Sequence, residues 1–193
     1  FETVQGTSGN PDAQVYVYRP LAGSSLKSAI LHIHGGGYVM GSPRMMDSAN
    51  RQLAADLDCI VCSVAYRLAP ENVFPAAIDD CYAGLSWVFN NARRLGVDPK
   101  RIGVKGESAG GGLAAALALM VRDRGEFRLV CQNLMAPMLD DRTCVKPDGR
   151  PFAGEFVWTC EHNLFGWTSM LGKASRGDDV SPYAAPARTN NLK

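Results

Sequence analysis

The sequence predicts an α/β fold, in which a mostly parallel sheet is flanked by helices. Segments with strand character alternate with segments of helical periodicity, and this alternation is typical of parallel sheets with right-handed crossovers. Residues 59–65 are apolar almost throughout, as expected of a parallel strand covered on both faces. Around residue 108 a strand, a glycine-rich turn and an Ala/Leu-rich helix follow one another. A chain of 193 residues suits one sizeable core, so we expect a single domain over residues 1–193.

The first part of the chain predicts three strands and a helix. Residues 13–19 alternate in polarity and are rich in Val and Tyr, which indicates an antiparallel edge strand. Residues 28–34 indicate a second strand, and residues 45–57 carry apolar side chains at helical spacing. The apolar strand at 59–65 comes next, and a loop at 66–71 follows it.

A second helix begins near Pro75, because proline is tolerated in the first turn of a helix. Gly96 ends this helical region, and Asp98-Pro99 predicts a turn before the next strand. The apolar face of this helix comprises Ile78, Cys81, Leu85, Val88 and Ala92.

The remaining alternating elements are a strand at 101–104, a helix at 108–124 and a strand at 128–135. Residues 144–175 then lack strand character and carry an aromatic cluster rimmed by Gly and Pro. We interpret this segment as a lid or cap inserted in the domain, with a merely peripheral cluster as the alternative. Residues 181–188 predict a proline-braced loop.

The composition indicates neither a nucleic-acid partner nor a membrane span. The 20 basic and 19 acidic side chains give a net charge of +1, which provides no field for attracting polyanions. No apolar run reaches the roughly 18 residues of a membrane helix, and residues 1–4 lack the features of a signal peptide.

Most of the six cysteines have apolar neighbours, which suits a reducing compartment and predicts a cytoplasmic location. Cys59 and Cys62 match a C-x-x-C pattern, but they lie inside an apparent strand, whereas metal and redox versions need a turn or helix start. We therefore assign them to core packing and expect no metal and no cofactor.

The turn at Gly106-Glu107-Ser108-Ala109-Gly110 has the Gly-x-Ser-x-Gly pattern in its required setting between strand and helix. Flanking glycines let the backbone turn so sharply that the serine hydroxyl stands exposed above the sheet. The helix N-terminus adds partial positive charge for a developing oxyanion. Ser108 is therefore the candidate nucleophile.

A second loop, His34-Gly35-Gly36-Gly37, follows the strand at 28–34. Three consecutive glycines have no packing use in a strand and cost conformational entropy. Their value is backbone that approaches a ligand with free N–H groups, and the alternative is a flexible turn.

Together with residues 66–71, Tyr-Arg-Leu-Ala-Pro-Glu, these two motifs resemble the hormone-sensitive-lipase-like family of α/β-hydrolase esterases. The three motifs occur in the family's order, and the resemblance runs from about residue 13 to the end. Glu107 is a mild departure, because the family more often has Asp there. The resemblance implies an α/β-hydrolase fold and a carboxylic-ester hydrolase.

The resemblance also implies roles for individual residues. Ser108 would attack the ester carbonyl, and the N–H groups of Gly36, Gly37 and Ala109 would hold the oxyanion. His34, Gly35, Gly106, Glu107 and Gly110 would support the two motifs, with His34 orienting its loop. His32 is expected to be a core histidine with satisfied hydrogen bonds.

The family's catalytic acid and histidine follow later core strands, which places both beyond Lys193. We therefore expect a partial domain, truncated at both ends, incomplete at its C-terminal strands and with little turnover by itself. Asp140 and His162 follow Ser108 in the correct order for a triad, and they are the alternative within the chain.

The predicted substrate is a small-molecule ester with a short to medium acyl chain, and amide or lactone hydrolysis by the same groups stays open. An inactive small-molecule binding protein on the same fold is the alternative function. A homo-oligomer is possible for the full-length protein.

Overall fold

Six strands form one sheet in the order β1-β2-β4-β3-β5-β6, in a computed structural model that describes residues 1–6, 9–20, 25–143, 154–172 and 177–192. Strand β2 is antiparallel to β1 and β4, whereas β4, β3, β5 and β6 run parallel. The strands are β1 (Glu2–Val4), β2 (Ala13–Tyr18), β3 (Lys27–Ile33), β4 (Ile60–Ala65), β5 (Val97–Glu107) and β6 (Gln132–Met135).

Helices cover both faces of this sheet. The described helices are α1 (Asp47–Asp56), α2 (Ala76–Asn90), α3 (Ala92–Leu95), α4 (Ala109–Arg124) and α5 (Cys160–Leu171), with 3₁₀ turns at Pro43–Met46 and Pro186–Arg188. Helices α2 and α4 contribute to the larger core, and Ala54 of α1 packs with Val61 of β4 in a smaller one. Because successive side chains of a strand point to opposite faces, Cys62 joins the larger core and its neighbour Val61 the smaller one.

The predicted fold class is confirmed, and three details of the strand predictions are wrong, the first being that the strand predicted at 128–135 begins only at Gln132. β2 is not an edge strand, because the three-residue strand β1 pairs with it through Glu2 and Val15. Asp98-Pro99 does not precede β5 but lies inside it, where the register with β3 shifts. Asp98 Oδ1 accepts the N–H of Lys100 at 2.9 Å, so the local turn chemistry produces a bulge instead of a strand boundary.

The cysteine prediction holds for Cys59, Cys62 and Cys81, which are buried and free. Cys131 is exposed and Cys160 half-buried, and Cys144 lies outside the described residues. Within the described ranges, no helix is long and apolar enough to span a bilayer. The cytoplasmic location stays a prediction.

Strand β6 lies at the edge of the sheet and pairs with β5 alone among the described strands. Three of its four residues are exposed, including Met135. A groove of about 400 Å³ runs beside this strand, and its lining includes Ala115, Ala118, Leu134, Leu139 and Leu192.

Candidate active site

Ser108 lies on a strained turn between the end of β5 and the start of α4. Its backbone has φ 55° and ψ −119°, a region that residues with a side chain rarely adopt. A Cβ added to Gly106 would lie 2.1 Å from the carbonyl oxygen of Gly110, and one added to Gly110 would lie 2.1 Å from that of Ile33. Only glycine therefore fits on either side of the turn.

Backbone hydrogen bonds hold Ser108 in this conformation. Its N–H donates to the carbonyl oxygen of Met135 at 2.9 Å, and its own carbonyl accepts from Gly112 and Met138 at 3.0 Å. The side chain is half-buried, and Oγ has no hydrogen-bond partner among the described residues. The hydroxyl is thus available for chemistry.

The glycine loop lies directly beside Ser108. A Cβ added to Gly35 would come within 3.4 Å of Ser108 Cβ. Gly36 and Gly37 have φ of 120° and 60°, and a Cβ at Gly36 would lie 2.0 Å from the carbonyl oxygen of Met40. In the described part of the chain, neither the Gly36 N–H nor the Gly37 N–H donates a hydrogen bond.

A third N–H comes from Ala109, the first residue of α4. The first turn of a helix has no intrahelical acceptors for its N–H groups, and the helix dipole adds partial positive charge. The N–H groups of Gly36, Gly37 and Ala109 can therefore stabilise negative charge on an oxygen bound next to Ser108.

His34 is engaged in contacts within the glycine loop and with Tyr66. Its Nδ1–H donates to the carbonyl oxygen of Gly35 at 2.8 Å, and its ring stacks on Tyr66 with a centroid distance of 4.2 Å. The Tyr66 hydroxyl donates to the His34 carbonyl oxygen at 2.9 Å. Burial lowers the pKa of His34 to about 4, so the ring is neutral at physiological pH.

Glu107 precedes the serine and is anchored on both carboxylate oxygens. His32 Nε2 donates to Oε2 at 2.9 Å, and Lys105 Nζ donates to Oε1. The other ring nitrogen of His32 lies 2.8 Å from Ser63 Oγ. Burial, and secondarily the Lys105 ammonium, lower the pKa of His32 to about 3. His32 is therefore a satisfied core histidine, as the sequence predicts.

The described part of the predicted lid, residues 154–172, packs on the glycine loop. A Cβ at Gly37 would lie 2.1 Å from Cη2 of Trp158, and a Cβ at Gly166 of α5 would lie 2.6 Å from the Gly37 carbonyl oxygen. The Trp167 ring lies 5.1 Å from that of Tyr38. Residues 144–153 and 173–175 of the predicted lid lie outside the described residues.

A cavity of about 220 Å³ opens beside this loop. Glu107 is its acidic residue, and methionine side chains form much of the remaining lining. The lining comprises His34, Gly35, Gly36, Met40, Gly41, Ser42, Met45, Met46 and Glu107. Gly36 is the one of the three N–H donors that lines this cavity, and the methionine side chains suit an apolar group that enters beside it.

Asp140 and His162, the alternative triad partners, are engaged elsewhere. Asp140 accepts two hydrogen bonds of 2.8 Å from the Arg142 guanidinium, and this partner holds its pKa below the usual value. His162 Nδ1 accepts from the Thr159 N–H in the capping box of α5. Neither side chain hydrogen-bonds Ser108.

The sequence analysis missed the contacts that Tyr66 and Trp158 make with the glycine loop. Tyr66 is the first residue of the third family motif, and its place in that motif is the feature of the sequence that could have indicated a contact with the glycine loop. Trp158 lies 121 residues beyond Gly37 in the chain, and no spacing rule connects the two.

A strained serine turn and a glycine loop, at the carboxyl ends of neighbouring parallel strands, are typical of the α/β-hydrolases. Residues 30–193 match the sequence model of a family described as alpha/beta hydrolase fold. The chain belongs to the hormone-sensitive-lipase-like esterases of this fold.

Similar proteins include esterases from several organisms. Carboxylesterase NlhH of Mycobacterium tuberculosis is 43% identical over 136 residues, which cover 70% of this chain and 43% of that protein. Ethyl acetate hydrolase of Pseudomonas putida is 36% identical over 178 residues, covering 89% of this chain and 54% of that protein. The solved structure of a bacterial heroin esterase superimposes with a TM-score of 0.94 at 36% identity, covering 100% of this chain and 61% of that one. The chain thus spans about half the length of the curated relatives.

Proposed function

We propose that the protein is a carboxylic-ester hydrolase with Ser108 as nucleophile and the N–H groups of Gly36, Gly37 and Ala109 as oxyanion hole. The observation that carries this proposal is the unpartnered Oγ of Ser108, held on a strained turn beside these donors. The esterase relatives support the same class of reaction.

The chemistry proceeds through an acyl-enzyme. Ser108 Oγ bonds to the carbonyl carbon while its proton passes to a general base, and the carbonyl electrons move to the oxygen. Collapse of this intermediate breaks the bond to the alcohol, which leaves with the proton. Water then adds in the same way and releases the acid, so that the serine hydroxyl is restored.

We assign the general base and its acidic partner to residues outside these 193. The three histidines of the sequence support this assignment, because His32 and His34 are buried and hydrogen-bonded and His162 belongs to a helix cap. A serine hydroxyl without a base is a weak nucleophile, so the 193-residue chain by itself is expected to turn over little substrate.

The proposed substrates are esters with short to medium acyl chains. The cavity of about 220 Å³ beside the glycine loop has methionine side chains suited to an alkyl group. The Pseudomonas putida relative is named for ethyl acetate, an ester with a two-carbon acyl group. Residues 154–172 would act as a lid that covers the glycine loop.

Hydrolysis of p-nitrophenyl butyrate tests the proposal. The 193-residue chain and the complete natural protein that contains it are compared, each with its Ser108→Ala variant. Ser86→Ala, a half-buried serine of α2, is the matched control. We expect turnover in the complete protein and its control variant, and none with Ser108→Ala.

Activity that survives Ser108→Ala would overturn the nucleophile assignment. An inactive complete protein that still binds p-nitrophenyl butyrate would instead identify a binding protein. Robust turnover by the 193-residue chain, lost on His162→Ala, would move the base to His162.

A further inference from the structure

The strands that lead into the glycine loop and into the nucleophile are neighbours in the sheet. Strand β3 ends at Ile33 and continues into the loop, while β5 ends at Glu107, directly before Ser108. The two strands are parallel, and His32 pairs in register with Lys105. The relative position of the oxyanion donors and the nucleophile thus depends on how these two strand ends are held together.

One side-chain hydrogen bond joins the two strand ends. His32 Nε2 lies 2.9 Å from Glu107 Oε2, and because a carboxylate only accepts, the ring nitrogen carries the proton. Nδ1 then accepts from Asn50 Nδ2 at 3.2 Å and from Ser63 Oγ at 2.8 Å. A single neutral tautomer satisfies every one of these contacts.

In the cluster of Ser63, His32 and Glu107, the serine and the histidine are too deeply buried to bind a substrate. Ser63, His32 and Glu107 form a serine-histidine-carboxylate series, the composition of a catalytic triad. The side chains of Ser63 and His32 are 0% exposed, so no ester can reach them. The cluster is therefore structural support behind the site and not a second active centre.

Glu107 is the member of the cluster that meets the cavity, and its carboxylate is already occupied. Lys105 Nζ donates to Oε1, and Oε2 accepts from His32. With 13% of its side chain exposed, Glu107 is directed mainly into the protein. It is placed to hold the turn at Ser108 rather than to exchange protons with a substrate.

We propose that the hydrogen bond from His32 to Glu107 makes both of them positioning residues, which fix Ser108 relative to the oxyanion donors of Gly36 and Gly37. This inference rests on the proposed ester hydrolysis. The transition state needs both groups at once, whereas initial substrate binding does not depend on their mutual distance. Loss of the link should therefore lower kcat and leave KM nearly unchanged.

The first test uses two variants of Glu107 in the complete natural protein. Glu107→Ala removes the acceptor, and a misplacement on the scale of an ångström should lower kcat about 10- to 100-fold. Glu107→Gln retains an acceptor for His32 and loses the ion pair with Lys105, so kcat should stay within about fivefold of wild type. Glu126→Ala and Glu126→Gln, at an exposed acceptor for Tyr82, are the matched controls.

Two further measurements separate positioning from loss of folded protein. Rates are expressed per active serine. The number of active serines is measured from the leaving group that a phosphonate ester releases when it labels Ser108. The inhibition constant of a trifluoromethyl ketone, which forms a tetrahedral adduct, should rise in parallel with the loss of kcat/KM across the series. A purely structural role would change the number of active serines and leave both quantities per serine unchanged.

Variants of His32 provide the rescue experiment. His32→Ala leaves Glu107 without its partner, whereas the amide of His32→Gln can still donate to Glu107 and accept from Ser63. We expect the kcat of His32→Gln to be at least about tenfold higher than the kcat of His32→Ala. If the two His32 variants had the same kcat per active serine, the inference would be overturned.

The outcomes distinguish this inference from the function on which it rests. Wild-type protein without Ser108-dependent hydrolysis would contradict the proposed function itself. Ser108-dependent hydrolysis with unchanged kcat in Glu107→Ala would leave that function intact and overturn the positioning role alone.

Discussion

The ring of Tyr66 stacks on the ring of His34, and its hydroxyl donates to the His34 carbonyl oxygen at 2.9 Å. One tyrosine thus supports both the side chain and the backbone of the residue that begins the glycine loop. The contact connects the loop after β4 to the loop after β3. It gives the Tyr66 motif a structural role beside the proposed oxyanion hole.

Tyr66→Phe should destabilise the fold by about 1–3 kcal/mol, because the buried His34 carbonyl loses its hydrogen-bond donor while the stacking remains. Urea unfolding measures the change. Tyr16→Phe is the control, since Tyr16 Oη interacts with the exposed Arg44, and its effect should stay within about 0.5 kcal/mol. Equal effects of the two substitutions would contradict the bracing role of Tyr66.

Gly110→Ala should cost at least about 3 kcal/mol or prevent folding, because its Cβ would lie 2.1 Å from the backbone carbonyl of Ile33. Gly125→Ala isolates the effect of backbone conformation, since Gly125 has φ 66° and no atom within 4 Å of an added Cβ. This control should cost about 1 kcal/mol. Thermal unfolding of both variants gives the comparison, and a Gly110→Ala protein as stable as wild type would show that α4 can retreat from β3.

Acid should destabilise the protein from about pH 6.5 downward. The pKa values of His32 and His34 are lowered to about 3 and about 4, so between these values and 6.5 only the unfolded chain binds the protons. Stability is therefore complete above pH 6.5 and falls by up to about 1.4 kcal/mol per pH unit for each histidine. The charged groups that face His32 are Glu107 and Lys105.

Urea unfolding at pH values from 4 to 8 measures this slope. His32→Gln should flatten the curve, because the substituted side chain no longer takes up a proton in the unfolded state. Parallel curves for the variant and wild type would contradict the assignment to His32.

Gly166→Ala should push α5 away from the glycine loop, because its Cβ would lie 2.6 Å from the Gly37 carbonyl oxygen. The expected results are a loss of about 1–3 kcal/mol in stability and a lower kcat for p-nitrophenyl butyrate in the complete protein. Thr168→Ala, an exposed position two residues further on, is the control and should change neither quantity appreciably. A Gly166→Ala enzyme with wild-type kcat would show that the oxyanion donors do not depend on α5.

The serine turn and the glycine loop could be predicted from the sequence because the residues around each of them give a strong local pattern. Ser108 lies between an apolar strand and an Ala-rich helix, and the loop at Gly35-Gly36-Gly37 cannot be a regular element. The short strand β1 was missed because three residues carry no measurable alternation. Asp98 signalled a turn correctly, but a local signal cannot show that the surrounding chain pairs with β3.

The link between His32 and Glu107 could not be predicted from either residue alone. They are 75 positions apart, and their contact depends on β3 and β5 being neighbours with a particular register. The sequence showed a histidine and a carboxylate near the ends of two predicted strands. The order of the strands in the sheet was needed to bring them together.

The open side of β6 has a practical consequence for anyone who purifies this chain by itself. Among the described residues no strand pairs with the outer side of β6, and this open side, next to an apolar groove, can accept a strand from a second molecule, as exposed sheet edges do. Because β6 has only four residues, its edge can form few hydrogen bonds with a second molecule. The association of two molecules should therefore be weak, reversible and dependent on protein concentration. Preparations should therefore be kept dilute, and elution volumes compared over a dilution series before any kinetic or spectroscopic result is attributed to a monomer.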